Sequence, residues 1–263
     1  MKIFNGRKVA EKILLDLKKR ITKEKIRPKL AVILVGDNKA SKLYIKLKRK
    51  AGRRIGVNLL LYKFSERTNE EEIVRKIKDL NKDELINGII VQLPLPKKFN
   101  QDRIVGTIDL LKDVDGFLKN SGSSPVLPSA IFTIIKSAVK SLKKKKILAL
   151  TNSDIFGLTL KDFLVQKGIK IKYFLRTSPA VKSNLRSADV VISVCGVSGL
   201  IKGELVKKGV ILIDAGFPAD VDRESVKNKA SFLTPTPGGV GPLTVALLLK
   251  NVYLAAKKHG KRS

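Results

Sequence analysis

Apolar residues fall into two alternating patterns along this chain. Short continuous runs, KLAVILVG (29–36), VNLLLYKF (57–64) and GIIVQL (88–93), have the length and composition of strands buried on both faces. Between them, apolar residues recur every three or four positions over about 39–55 and in NEEEIVRKIKDLN (69–81). The acidic residues that open the second stretch favour a helix N-terminus. Earlier still, Val9, Ile13, Leu14 and Leu17 recur at helical spacing with charges between them, so MKIFNGRKVAEKILLDLKKR does not read as a signal peptide. The first part of the chain is therefore predicted as βαβαβ. A helix starting near Pro128, PSAIFTIIKSAVKSL, leads to a second series of strands: KILAL (146–150), IKIKYFL (169–175), DVVISVC (189–195) and VILIDAG (210–216). A last helix covers about 243–258. The alternation predicts two α/β units with parallel sheets. The run KSLKKKKIL (141–148) reads as the polar end of a helix ahead of a strand. There is no internal repeat, no low-complexity linker, and no run of about 18 apolar residues that would predict a membrane span.

Composition narrows the chemistry. A chain of 263 residues with 43% hydrophobic content is long enough for two cores. A single cysteine, Cys195, excludes an internal disulfide framework and suits a reducing cytoplasm. With one histidine, His259, a His/Cys metal site or a Ser-His-Asp mechanism has little to draw on. The net charge of +31 raises the question of a nucleic-acid partner. The basic residues are spread along the whole length, with only the short KKHGKRS end as a tail, and aromatics are 5%. That distribution reads as solvated surface, with no specific nucleic-acid partner and no membrane partner expected.

One lysine stands apart on the helix near residue 45. With Tyr44 at 0° and about 100° per residue, Lys42, Lys46, Arg49, Lys50 and Arg53 occupy about 120° to 240°, a solvated back. Leu43, Leu47 and Ala51 lie at about −100° to −20° and are expected to pack. Lys48 falls at about 40° and Ser41 at about 60°, beside Tyr44 and away from the basic side. A half-buried lysine next to a tyrosine can have its pKa lowered by desolvation, which fits it for proton transfer. The competing reading is a lysine whose stem covers apolar surface while its ammonium reaches water.

Four blocks, VGDNKASKLYIKLKRKAGRRIGV, GIIVQLPLPKKFN, IDLLKDVDGF and LTPTPGGVGPLTVALLLKN, follow in order. Together they resemble the bifunctional methylenetetrahydrofolate dehydrogenase/cyclohydrolase family, from about residue 4 to residue 258. The resemblance implies two α/β domains across a cleft, the second Rossmann-like, with the C-terminal helix returning to the first. It implies a folate-binding catalytic domain of residues 1–127 plus 242–263 and a dinucleotide-binding domain of 128–241. Lys48 matches the family's catalytic lysine and Gln92 the glutamine that positions it. Tyr44, with Ser41 near it, matches the tyrosine that stacks on the folate rings. Asp115 matches the acid that pairs with the pterin's amino edge, against a bland reading as a turn aspartate. Pro237, Gly238, Gly239, Val240 and Gly241 match the loop that lines the substrate ring. The implied chemistry is oxidation of 5,10-methylenetetrahydrofolate with NADP, then hydrolysis to 10-formyltetrahydrofolate, without a metal. A homodimer is expected from the resemblance alone.

The cofactor loop departs from the family pattern. Where the family has G-R-S-x-x-V-G-x-P, this chain reads TNSDIFGLT (151–159). Thr151 replaces the first glycine and Asn152 the arginine that helps hold the 2′-phosphate, while Ser153 and Gly157 remain. Arg176, at the end of the next strand, stands where an arginine can accommodate that phosphate, although it also reads as plain surface charge. Gly196 in CGVSG and Phe217 in IDAGF complete the expected cofactor set. The loop leaves NAD possible in place of NADP, and leaves open a cyclohydrolase with weak or NAD-linked dehydrogenase activity. A non-catalytic folate- or nucleic-acid-binding protein is the third reading.

Overall fold

A computed structural model describes residues 1–139 and 141–259. The chain packs as two compact units, one of Ala10–Val126 with the chain from Val245 onward, the other of Met1–Val9 with Leu127–Thr244.

The first unit is built on a three-stranded parallel sheet of order β3-β2-β4, with β2 at Lys29–Val35, β3 at Asn58–Phe64 and β4 at Gly88–Val91. Each expected strand is present, trimmed by one or two residues. The unbroken apolar run of β2 follows from its place in the middle. Leu30, Val32 and Leu34 point to one core, and Ala31, Ile33 and Val35 to another. Helices α1 (Gly6–Lys23), α2 (Lys39–Ile55) and the C-terminal helix α8 (Val240–His259) supply the first core. Helices α3 (Glu70–Lys82) and α4 (Gln101–Gly106) supply the second. The last helix thus returns to the first unit, and α8 starts a turn earlier than expected, with Pro242 in its first turn, where proline is tolerated. Among the described residues α8 is also the one helix long and apolar enough to cross a membrane, yet 61% of that stretch is buried inside the protein.

The packing face expected for α2 is corrected. Leu43 and Leu47 are 47% and 46% exposed, whereas Ser41, Ile45, Gly52 and Ile55 are buried. On the same wheel the buried residues centre on about 60°, so the helix turns Lys48 toward the sheet and its leucines outward.

The second unit has a six-stranded sheet of order β1-β9-β8-β7-β5-β6, all parallel. The strands are β1 (Lys2–Ile3), β5 (Ile147–Thr151), β6 (Lys172–Leu175), β7 (Val190–Val194), β8 (Val210–Asp214) and β9 (Ala230–Leu233). Helices α5 (Val126–Ala138), α6 (Asp154–Gln166) and α7 (Val181–Ser187) connect them. Pairing of β1 with β9 draws residues 1–9 into this unit, and not into the domain of 1–127 plus 242–263 that the resemblance implies. The helix expected through Leu142 ends at Ala138, and Lys140 lies outside the described residues. The lysine run that follows forms a turn, with Lys144 at φ 61°, and not the helix end expected for it. Most of the basic KKHGKRS end also lies outside the described residues.

Candidate active site

Topology marks one place in each unit. In an open parallel sheet, ligands bind beyond the carboxyl ends of the strands, where successive connections leave in opposite directions. In the first unit that place lies beyond β2 and β4, because the chain runs from β2 to β3 on one side and then crosses to β4 on the other.

Three groups meet there. Lys48 descends from α2, whose start is fixed by Asn38, its side chain accepting from the Ser41 N–H at 3.0 Å. Gln92 leaves the end of β4, its backbone N–H still bonded to the Ile33 carbonyl. The Lys48 Nζ donates to Gln92 Oε1 at 2.9 Å. Gln92 Nε2 in turn donates to the Leu93 carbonyl at 2.8 Å, which settles which end of the amide faces the lysine. The Ser41 hydroxyl reaches the same carbonyl at 3.4 Å. Serine, amide and lysine are therefore one connected network, and Ser41 supports the Gln92–Leu93 turn from the buried face of α2.

Asp115 arrives from a separate segment. A parallel bridge between Ile89 and Asp113 carries residues 113–115 alongside β4, which sets Asp115 level with Val91 at the sheet's carboxyl edge. The two aspartates of KDVDGF have different duties. Asp113 is buried and accepts from the Gly116 and Leu118 N–H groups at 2.9 and 2.8 Å. It performs the turn-stabilising role that was the bland alternative for Asp115. Gly116 has φ 71°, and a Cβ there would lie 2.7 Å from the Pro125 backbone, so only glycine fits the turn.

Burial dominates the electrostatics. Desolvation pulls the Lys48 ammonium below its ordinary pKa, and the Asp115 carboxylate opposes that shift. Desolvation pushes Asp115 up, opposed by Lys48 and reinforced by Asp113. Tyr44, half-buried one turn before Lys48 on α2, is also raised by burial. The arrangement is a lysine that can release its proton more easily than a surface lysine, beside an acid that resists ionising. Such a pair suits proton transfer.

One residue of this site went unnoticed in the sequence. Asn251 of α8 is buried, and its side-chain amide donates to the carbonyls of Val114 and Ser124, both at 2.9 Å. It closes the loop that carries Asp115. The signal was present, because Asn251 ends the LTPTPGGVGPLTVALLLKN block, but a lone amide within an apolar helix gave no reason to single it out.

In the second unit the strand order reverses between β5 and β7, and the expected cofactor residues cluster beyond these strands. Thr151 ends β5, buried, with its hydroxyl bonded to the Ser153 carbonyl at 2.9 Å. Ser153 caps α6 by accepting from the Phe156 N–H at 3.3 Å. A Cβ at Gly157 would stand 2.4 Å from the Tyr173 ring, so α6 lies close on β6. Asn152 is exposed, its amide donating to the Cys195 carbonyl at 2.5 Å. It ties β5 to β7 across the switch point. Arg176 is exposed at the end of β6 and lines a cleft with Ser178 and Lys182. Gly196 has φ 65°, and a Cβ there would sit 3.0 Å from the Phe217 carbonyl, which brings these two expected cofactor residues together. Pro237 to Gly241 belong to this unit and lead into α8, with Gly239 N–H donating to the Pro235 carbonyl at 2.7 Å.

A doubly wound sheet with glycine-bearing loops at its switch point, on one chain with a separate unit holding a desolvated lysine, defines a two-domain nucleotide-dependent α/β enzyme. Comparison with known proteins narrows the class. The catalytic-domain description of the tetrahydrofolate dehydrogenase/cyclohydrolase family matches residues 4–115, and its NAD(P)-binding-domain description matches residues 125–260. The chain belongs to the tetrahydrofolate dehydrogenase/cyclohydrolase family. The "Bifunctional protein FolD" of Nautilia profundicola is 38% identical over 281 residues, covering 99% of each chain. The crystal structure of the bifunctional methylenetetrahydrofolate dehydrogenase/cyclohydrolase of Campylobacter jejuni matches with a TM-score of 0.89 at 34% identity, over 98% of this chain and 99% of that one. The Trypanosoma brucei enzyme, complexed with NADP cofactor and inhibitor, matches with a TM-score of 0.90 at 29% identity, over 99% of this chain and 98% of that one. Among the described residues no group of three or more His, Cys, Asp or Glu could hold a metal ion.

The second unit fits a dinucleotide on its own geometry. The capped start of α6 follows β5 directly, as a pyrophosphate requires. Gly196 turns the backbone at φ 65° just beyond β7, and two cations line the cleft beyond β6.

Proposed function

We propose that this chain oxidises 5,10-methylenetetrahydrofolate to 5,10-methenyltetrahydrofolate with NADP and then hydrolyses the product to 10-formyltetrahydrofolate, with Lys48 as the proton-transfer group of the second step. The observation that carries the residue assignment is the Lys48–Gln92 hydrogen bond beside Asp115.

Bound NADP supplies the hydride acceptor for the methylene carbon. Lys48 can donate one N–H to Gln92 whether charged or neutral, so Gln92 aims the nitrogen in both states. As a neutral amine it takes a proton from the water that attacks the methenyl carbon. The carbon–N5 bond then breaks as the formyl C=O forms; one of the two water protons ends on N5 and the other leaves to solvent. Tyr44 offers a flat face to the folate rings, and Asp115 offers two oxygens to the aminopyrimidine edge. Asn152 is committed to Cys195, so the 2′-phosphate falls to Arg176 with Lys182 beside it. The reading also takes the chain as a cytoplasmic homodimer, supported by its family and its single cysteine, and sedimentation in solution reads the oligomeric state.

A spectrophotometric assay with 5,10-methylenetetrahydrofolate, run with NADP and NAD in parallel, tests the proposal. Formation of methenyl product and NADPH is the expected outcome, with Arg176→Ala raising the KM for NADP more than that for NAD. Absence of turnover with both dinucleotides would overturn it.

A further inference from the structure

One carboxylate in the second unit is completely buried and has no part in the site described above. Asp220 is 0% exposed. Its Oδ2 accepts from the Ser193 hydroxyl at 2.7 Å and the Cys195 N–H at 2.8 Å, and its Oδ1 accepts from the Val197 N–H at 2.7 Å. Three convergent donors suit a carboxylate, which only accepts, and do not suit an amide of the same shape, which would turn an N–H toward one of them. Two of the donors flank Gly196. On its other side the Asp220 carboxyl occupies the space where a Gly216 Cβ would go, 2.4 Å away. Its backbone continues the clamp, with the Asp220 carbonyl accepting from Ile201 N–H at 2.9 Å and the Ala219 carbonyl from Gly199 N–H at 3.3 Å. One side chain thus braces both loops that leave the sheet after β7 and β8.

We propose that Asp220 is a positioning residue for dinucleotide binding, holding Cys195–Val197 in the left-handed turn that presents the Gly196 backbone to the cofactor. The proposal rests on the reading of Gly196 and Phe217 as part of the cofactor site. Burying a carboxylate is costly even when every lone pair is used, so its place under these loops calls for a purpose that a neutral core residue would not serve. Bracing both flanks of a half-buried glycine is such a purpose, since a glycine loop otherwise samples many conformations and binding would have to restrict them.

The test uses Asp220→Asn in the full chain, with three readouts. Titration calorimetry with NADP is expected to show the Kd raised about tenfold or more, the loss of one charged hydrogen bond. Hydrogen exchange without cofactor is expected to show faster exchange at the Cys195 and Val197 amides. Hydrolysis of 5,10-methenyltetrahydrofolate, which needs no dinucleotide and uses Lys48 in the other unit, is expected to be retained. Should Asp220→Asn fail to fold, Ser193→Ala removes one donor alone and is expected to weaken NADP in the same direction by a smaller factor. If the wild type binds NADP and the folded variant binds it equally well, the inference is overturned and the cofactor reading stands. If the wild type does not bind NADP, the cofactor reading fails and takes the inference with it.

Discussion

A lysine pulled out of water has a different pH life from one on the surface, and Lys48 should show it. General-base hydrolysis needs the neutral amine, so the enzyme-dependent rate on methenyltetrahydrofolate should rise with pH and level off below the ordinary lysine value of about 10.4. Asp115 is the group that holds the Lys48 pKa up. Asp115→Asn should therefore move the kcat profile to lower pH while raising the KM for folate; a profile that stays in place would separate the two groups. Lys48→Ala should lower hydrolysis by about 10²–10⁴ with little change in melting temperature. How far this was legible is instructive. Helical geometry alone turned Lys48 away from the basic side of α2, but it could not say what the lysine would meet. Gln92 lies 44 positions further on and Asp115 further still, and only the pairing of β2 with β4 and the Ile89–Asp113 bridge bring them together.

At the scale of the element, α2 shows why periodicity read without tertiary contacts can choose the wrong face. Its inward side consists of Ser41, Ile45, Lys48, Gly52 and Ile55, a mixture no hydrophobicity rule would select, while Leu43 and Leu47 are left outside. Thermal denaturation separates the two faces. Ile45→Ala should cost about 2–5 kcal/mol, and Leu47→Ala should stay within about 0.5 kcal/mol. The same reasoning applies to the clamp from α8. Asn251→Ala leaves the carbonyls of Val114 and Ser124 without their donor, a penalty of about 1–3 kcal/mol. Because the freed loop carries Asp115, the KM for folate should rise by more than any change in the NADP KM, and parallel increases would contradict this account. Strands were the easier elements to read. Continuous apolar runs identified the buried strands, whereas Lys2–Ile3 and Ala230–Leu233, at one edge of the sheet and short, carried no such signal.

Over the whole molecule, the pH dependence of stability has a component that can be isolated. Asp214, at the end of β8, is pushed up to about 6 by burial, partly offset by the backbone N–H groups of Val221 and Gly216. The folded state then keeps a proton that the unfolded chain has released, so stability falls as pH rises from about 4 to 6, by about 3 kcal/mol in total. Chemical denaturation of Asp214→Asn across that range should lack this slope, whatever its absolute stability. Exposed carboxylates such as Glu11 and Glu24, lowered by their cationic partners, act in the opposite direction and are common to both proteins. The division of labour between units was legible in outline from the order of strands and helices. The exact seams were not, because they depend on where β1 and α8 pack. Those seams bear on how the protein is made. The chain passes from one unit to the other three times, after Val9, Val126 and Thr244. A ribosome must therefore finish the whole nucleotide-binding unit before it releases Leu248, Leu249, Val252 and Tyr253, which fill the core of the folate unit. The half of the enzyme whose coding begins almost first is the last to become complete, and until then its nascent sheet has an apolar face waiting for a helix, a surface for chaperones to hold.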